Sequence, residues 1–210
     1  MNQSIAKCER SGIAETLLKV GPASATLCAD WTSFDLLIHL ILRENRPDAA
    51  FGQNIPFLKE NALKLKSAII RNGFEKAVAD FANGPKLPSF FALPGVDSAA
   101  NTFEFVVHHE DLLRAQPNYQ VRELPRQQLE TLWKWFTKAA PLYFRKAKMG
   151  LVLESELGTY TIKKGKECIT LKGSVIDLIL YAFGRKSVAN IEFSGEPILI
   201  EQIKSLNFKV

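Results

Sequence analysis

The chain has 210 residues, 47% of them apolar, a net charge of +5 and a pI near 9.1. That is long enough for one large domain or two small ones, and apolar enough to build a core. The positive charge permits weak attraction to anions, but it is spread out: residues 151–210 hold 8 basic and 7 acidic side chains, and no dense basic block or aromatic–basic alternation marks a nucleic-acid footprint. No apolar run reaches the length of a bilayer span, so no membrane association is expected. The segment Met1-Asn2-Gln3-Ser4-Ile5-Ala6-Lys7-Cys8 lacks the apolar core and cleavage site of a signal peptide. Three cysteines, Cys8, Cys28 and Cys168, are odd in number and far apart, which fits neither a disulfide framework nor a Cys-x-x-Cys metal site. A reducing cytoplasm is the expected location.

In chain order, Glu9 to Val20 reads as a first helix, stopped by Gly21-Pro22. After a connector, Thr32 has the features of an N-cap, with Asp35 three residues on as in a capping box. The helix it starts carries His39 and Arg43 and ends before Pro47. Phe57 to Ala82 reads as a long helical segment with a weak spot at Gly73. Pro88, Pro94 and Gly95 mark a loop. Asp97 or Ser98 can cap a fourth helix that runs towards Pro117, and Pro125 opens a fifth that Pro141 kinks or ends. The pattern changes near Met149-Gly150. Leu151–Leu153, Tyr160–Ile162, Cys168–Leu171 and Asn190–Phe193 read as strands, Ser174–Phe183 and Pro197–Leu206 as helices. The expected architecture is a helical bundle over residues 1–148 and a small α+β domain over residues 149–210.

The fourth helix carries the most chemistry. At about 100° per residue, Glu104, His108 and Asp111 share one stripe, and Phe103, Phe105, Val106, Val107, Leu112 and Leu113 cover most of the rest. A helix apolar nearly all round is buried, and a carboxylate and an imidazole on it need partners. His39 sits on a second apolar helix, which leads to a hypothesis: His39, Glu104 and His108 meet inside the bundle and bind one metal ion. Two histidines and a carboxylate with an open fourth position form a catalytic zinc set, and nickel or ferrous iron also suits these ligands. With no cysteine near these positions in sequence, a closed structural site is not expected. His109 lies about 140° from Glu104 and reads as a residue behind the ligands or at the surface. Asp111 could ligate, orient a histidine or face solvent. Arg43, one turn from His39, either binds an anionic group at the site or pairs at the surface with Glu44 or Asp48.

The stretch Leu27-Cys28-Ala29-Asp30-Trp31-Thr32-Ser33-Phe34-Asp35-Leu36-Leu37-Ile38-His39-Leu40 resembles the N-terminal region of mycothiol-dependent maleylpyruvate isomerase-like proteins of the DinB-like superfamily. These carry a Trp-[Thr/Ser]-x-x-Asp-x-x-x-His-Leu signature. Leu42 to Ala50, and Asn101 to Asp111, look like an actinobacterial subgroup described only as metal-binding. The resemblance covers nearly the whole chain. It implies a DinB-like four-helix bundle with a His, Glu, His metal triad, placed by motif position on His39, Glu104 and His108. It also implies a C-terminal unit like the isomerase's, distantly similar to sterol-carrier domains. Gly184-Arg185 resembles a Gly-Arg pair found there, so Arg185 could hold a substrate carboxylate; otherwise it is a solvated arginine past a helix end.

The expectation is a metal-dependent enzyme that uses a mycothiol-like low-molecular-weight thiol to isomerise, or transfer a group on, a small electrophile. The metal would bind the thiol as thiolate. Arg185 or Arg43 would hold an anionic group. The competing reading is a non-catalytic module that binds metal or a lipid-like ligand. Either a monomer or a homodimer is compatible with the sequence.

Overall fold

The computed structural model describes residues 4–45, 56–85 and 96–208, without the side chains of residues 56–59 and 96–100. The loop expected around Pro88 to Gly95 lies outside what is described, and Asp97 and Ser98, expected as caps, fall inside a helix that already includes Val96. Contacts divide the chain into two compact units, residues 1–120 and 121–210.

The first unit is helical. Helix α1 (Ile5–Val20) starts one turn earlier than the sequence suggests, because the Ser4 hydroxyl accepts the Lys7 backbone N–H. Helix α2 (Ser33–Asn45) begins at the expected capping box. The Asp35 carboxylate accepts from the Thr32 backbone N–H at 3.1 Å, and the Thr32 hydroxyl accepts from the Asp35 N–H at 3.2 Å. The long third segment is two helices, α3 (Pro56–Asn72) and α4 (Phe74–Ala82). They are divided at Gly73, whose φ of +86° only glycine adopts readily. Helix α5 (Val96–Leu113) carries Glu104, His108 and Asp111.

The core of this unit gathers Ile13 and Leu17 from α1, Leu36, Leu37 and Leu40 from α2, Val78 and Phe81 from α4, and Phe105 and Leu112 from α5. Burying each large side chain contributes about 1.5–3 kcal/mol. Helix α1 lies along α5, and the rings of Phe81 and Phe105 meet edge to face at 5.6 Å.

In the second unit, α6 (Arg126–Tyr143) precedes the strands. Pro141 neither stops it nor marks its end, since the helix continues to Tyr143. Strands β1 (Gly150–Ser155), β2 (Gly158–Lys163), β3 (Cys168–Lys172) and β4 (Glu192–Ser194) form one sheet in the order β2-β1-β3-β4. β1 pairs antiparallel with β2 and parallel with β3; β4 returns antiparallel to β3. The register sets Leu151 against Ile169 and Leu153 against Leu171, all four fully buried on one face. Helix α7 (Val175–Ala182) is buried along its whole length, and α8 (Pro197–Ser205) buries Leu199 and Ile203. Within this unit α6 packs against β2 and α7. No helix among the described residues is long and apolar enough to cross a membrane.

Candidate metal centre

His39, Glu104 and His108 come together. Each offers a ligand atom, and these atoms lie within 4.8 Å of one another. His39 comes from the middle of α2, and Glu104 and His108 from successive turns of α5, so two helices supply the set. His108 Nε2 is 3.4 Å from Glu104 Oε2, and the His39 and His108 rings meet edge to face with centroids 5.3 Å apart. Trp31 forms a wall: its ring centroid is 5.1 Å from that of His39, and it is partly exposed. Ligands about 2.0–2.2 Å from a common tetrahedral centre are separated by about 3.3–3.6 Å; the His108–Glu104 pair stands at 3.4 Å, and the other separations lie within 4.8 Å.

Asp111 faces the His108 ring and the Cys28 thiol rather than solvent. It is fully buried and accepts from His108 Nδ1 at 2.9 Å, which turns Nε2 towards Glu104 and His39. Burial opposes a charge on His108, but hydrogen bonds to Asp111, Cys28 and Glu104 outweigh it and raise its pKa to about 10. Burial likewise opposes charge on Glu104, yet the His108 hydrogen bond and the charges of Arg43, His108 and His39 hold its carboxyl down to about 2. Without an ion, the site keeps a proton where a metal would sit.

Arg43 stands beside the triad, its Nε 3.8 Å from Glu104 Oε2 and its Nη1 donating to Asn101 Oδ1. The surface pairing with Glu44 is not what forms. Glu44 points inward and holds Arg10 through two bonds of 2.5 and 2.6 Å. Asp48 lies outside the described residues. Asn101 bridges the two arginine systems by donating Nδ2 to Glu44 Oε1 at 2.9 Å. A cavity of about 330 Å³, lined by Ile41, Glu44, Leu65, Ile69, Lys76 and Phe81 among others, adjoins this buried pair and includes none of the triad.

His109 corrects the sequence reading. It is neither at the surface nor behind the ligands: it is buried and turned to α1, with Nδ1 2.8 Å from Glu9 Oε2 and Nε2 3.0 Å from Thr16 Oγ1. The 140° offset from Glu104 is real, but the face it reaches is the α1–α5 interface. A second correction concerns cysteine. Cys28, distant in sequence, lies 3.3 Å from Asp111 Oδ2 and 3.9 Å from His108 Nδ1. The connector carrying it is pinned to α5 by the Leu27 N–H to Asp111 carbonyl bond of 3.0 Å. Spacing alone did not reveal this. The buried partners Glu9 and Asn101 were also missed, although a glutamate four residues before Ile13 on an apolar face was a usable signal.

Arg185 belongs to the second unit. Its backbone N–H bonds the Leu180 carbonyl and Gly184 N–H the Tyr181 carbonyl, closing α7 with Gly184 at φ +83°. The Arg185 guanidinium donates to the Phe183 carbonyl at 2.9 Å. The Gly-Arg pair thus has a helix-ending role in its own right.

No protein-family profile matches the chain, and no curated protein matches it. Two solved structures do. A crystal structure of the mycothiol-dependent maleylpyruvate isomerase aligns over 91% of both chains with a TM-score of 0.57 and 20% identity. A mutant of that enzyme covers the same share at 20% identity with a TM-score of 0.47. The first of these likenesses gives the chain the isomerase's fold.

Proposed function

We propose that His39, Glu104 and His108 hold a divalent metal ion, with zinc the best match to the ligands, and that the chain is a thiol-dependent transferase or isomerase acting on a small electrophile. The carrying observation is the convergence of those three ligand atoms within 4.8 Å, with Asp111 orienting the shared histidine. The fold shared with an isomerase that depends on mycothiol supports the choice of a low-molecular-weight thiol. A bound ion would supply a Lewis-acidic position where such a thiol binds as its thiolate. The chain's residues do the rest. Asp111 keeps the His108 proton on Nδ1, leaving Nε2 as the ligating atom. Trp31 packs its ring against that of His39 at the edge of the site. Arg43, beside Glu104, is the group in this unit placed to meet an anionic substrate. Arg185 is proposed, within the second unit, as a residue that binds an anionic group.

Cobalt-substituted protein tests this in a Cys28→Ser background, so that no nearby sulfur of the chain contributes. Adding a small thiol is expected to produce a sulfur-to-metal charge-transfer band, and a thiol with an electrophilic unsaturated acid is expected to give product. A thiol band without turnover on any electrophile leaves a binding module. Bound cobalt with no thiol band at neutral to alkaline pH removes the thiol-dependent reading.

A further inference from the structure

The two ring nitrogens of His108 face different partners. Nε2 points to Glu104 and the His39 side. Nδ1 points to Asp111 and Cys28, and those two side chains also touch each other at 3.3 Å. Sulfur, nitrogen and carboxylate oxygen therefore form a triangle with edges of 2.9, 3.3 and 3.9 Å. A tetrahedral centre with metal–sulfur bonds of about 2.3 Å and metal–nitrogen or –oxygen bonds of about 2.0–2.2 Å needs edges of about 3.3–3.6 Å. Shifts of a few tenths of an ångström bring the triangle to that shape. The thiol is half-buried and held in place: its residue's N–H bonds Thr26 Oγ1 at 3.2 Å, and the neighbouring Leu27 is bonded to α5.

We propose that Cys28, His108 through Nδ1, and Asp111 form a second, sulfur-containing metal site that competes with the triad for the same imidazole. Its ligands are one thiolate, one carboxylate and one neutral imidazole, which leave a bound dication with no net charge. A neutral cluster is the arrangement that burial tolerates best. The triad leaves a charge of about +1 and offers no sulfur. The second site therefore takes the softer ion, cadmium, while the triad holds its own against zinc and harder ions. The tautomer of His108 decides between them. With the ring proton on Nδ1 and donated to Asp111, Nε2 serves the triad. With the proton on Nε2 and donated to Glu104, Nδ1 serves the sulfur site. Binding there releases the Cys28 thiol proton to solvent. A neutral imidazole ligates through one nitrogen at a time, so the two sets together hold one ion. The inference does not rest on the triad binding metal.

Cadmium tests it on the full chain with Cys8 and Cys168, the other free cysteines, changed to serine. In that protein a His39→Ala/Glu104→Gln variant is expected to bind one equivalent of cadmium with a thiolate-to-cadmium charge-transfer band. Adding Cys28→Ser is expected to remove the band and weaken cadmium binding at least tenfold. A folded double variant that binds no cadmium, or binds it without the sulfur band, overturns the proposal. Should the double variant fail to fold, the same comparison is made with the triad intact. There, Cys28→Ser is expected to lower the preference for cadmium over cobalt at least tenfold. An unchanged preference overturns the proposal and leaves the triad standing.

Discussion

At the scale of single residues, His108 governs the pH behaviour of the centre. Its pKa is raised from an ordinary 6.5 to about 10, so in metal-free protein the charged ring adds stability that is fully present below pH 6.5 and lost as pH rises through 10. Glu104 has the opposite sign: lowered from 4.5 to about 2, it adds stability above pH 4.5 that is lost as pH falls towards 2. Thermal melts of metal-free protein should therefore drop on the alkaline side, and His108→Gln should flatten that drop. An ion entering the triad must displace the His108 proton. Calorimetry in buffers of different ionisation enthalpy should find proton release at neutral pH, with affinity rising up to about tenfold per pH unit until 10. A second residue-scale prediction concerns Gly12, where an added Cβ would sit 2.7 Å from the His109 ring. That ring is held at both nitrogens, by Glu9 and Thr16, and cannot swing away. Gly12→Ala should destabilise by about 1–3 kcal/mol in denaturant melts, despite alanine's better helix propensity. The approach of Glu104 and His108 was legible because they are one turn apart. The fate of His109 was not, because periodicity assigns a face but does not say which helix covers it.

At the scale of elements, α1 and α2 are tied by a buried ion pair. Arg10 meets Glu44 side by side, donates to the Phe81 carbonyl at 3.2 Å, and lies over the rings of Phe81 and Phe105. Removing Glu44 leaves a buried guanidinium short of its counter-ion. Glu44→Ala should cost about 3–5 kcal/mol, measured by chemical denaturation. A loss below about 1 kcal/mol would show that Arg10 readily reaches water instead. Helix existence was read correctly wherever apolar periodicity was strong and a cap stood in the sequence, as at Thr32 and Asp35. Boundaries failed where the deciding contact was local but unexpected. Ser4 caps α1 a turn early, and Pro141 sits in the last turn of α6, close enough to the end for the helix to tolerate it; Gly73, the expected weak spot, divides α3 from α4 outright.

At the scale of the whole molecule, the sequence signals a change of pattern at Gly150, and β1 begins there. Packing is not visible in that signal, and the compact second unit starts at Val121 and includes α6. Protection follows packing: Phe144 and Ala147 are buried, and Lys146 donates to the Asn207 carbonyl at 2.8 Å, whereas Val121 is 75% exposed. A broad-specificity protease should cut within residues 121–125 before residues 145–149, as mass spectrometry of early fragments would show. A first cut within residues 145–149 would favour a division at 148 instead. The proposed metal ligands all lie on the first unit, which makes metal content the most direct test of the account. Elemental analysis of untagged protein, purified without chelator, should give about one divalent ion per chain. His39→Ala and His108→Ala should lose it in metal-competition dialysis against a hard-ligand buffer, while His109→Ala, turned towards α1, should keep it. Equal metal content in wild type and all three variants, or none in the wild type, would contradict the central claim.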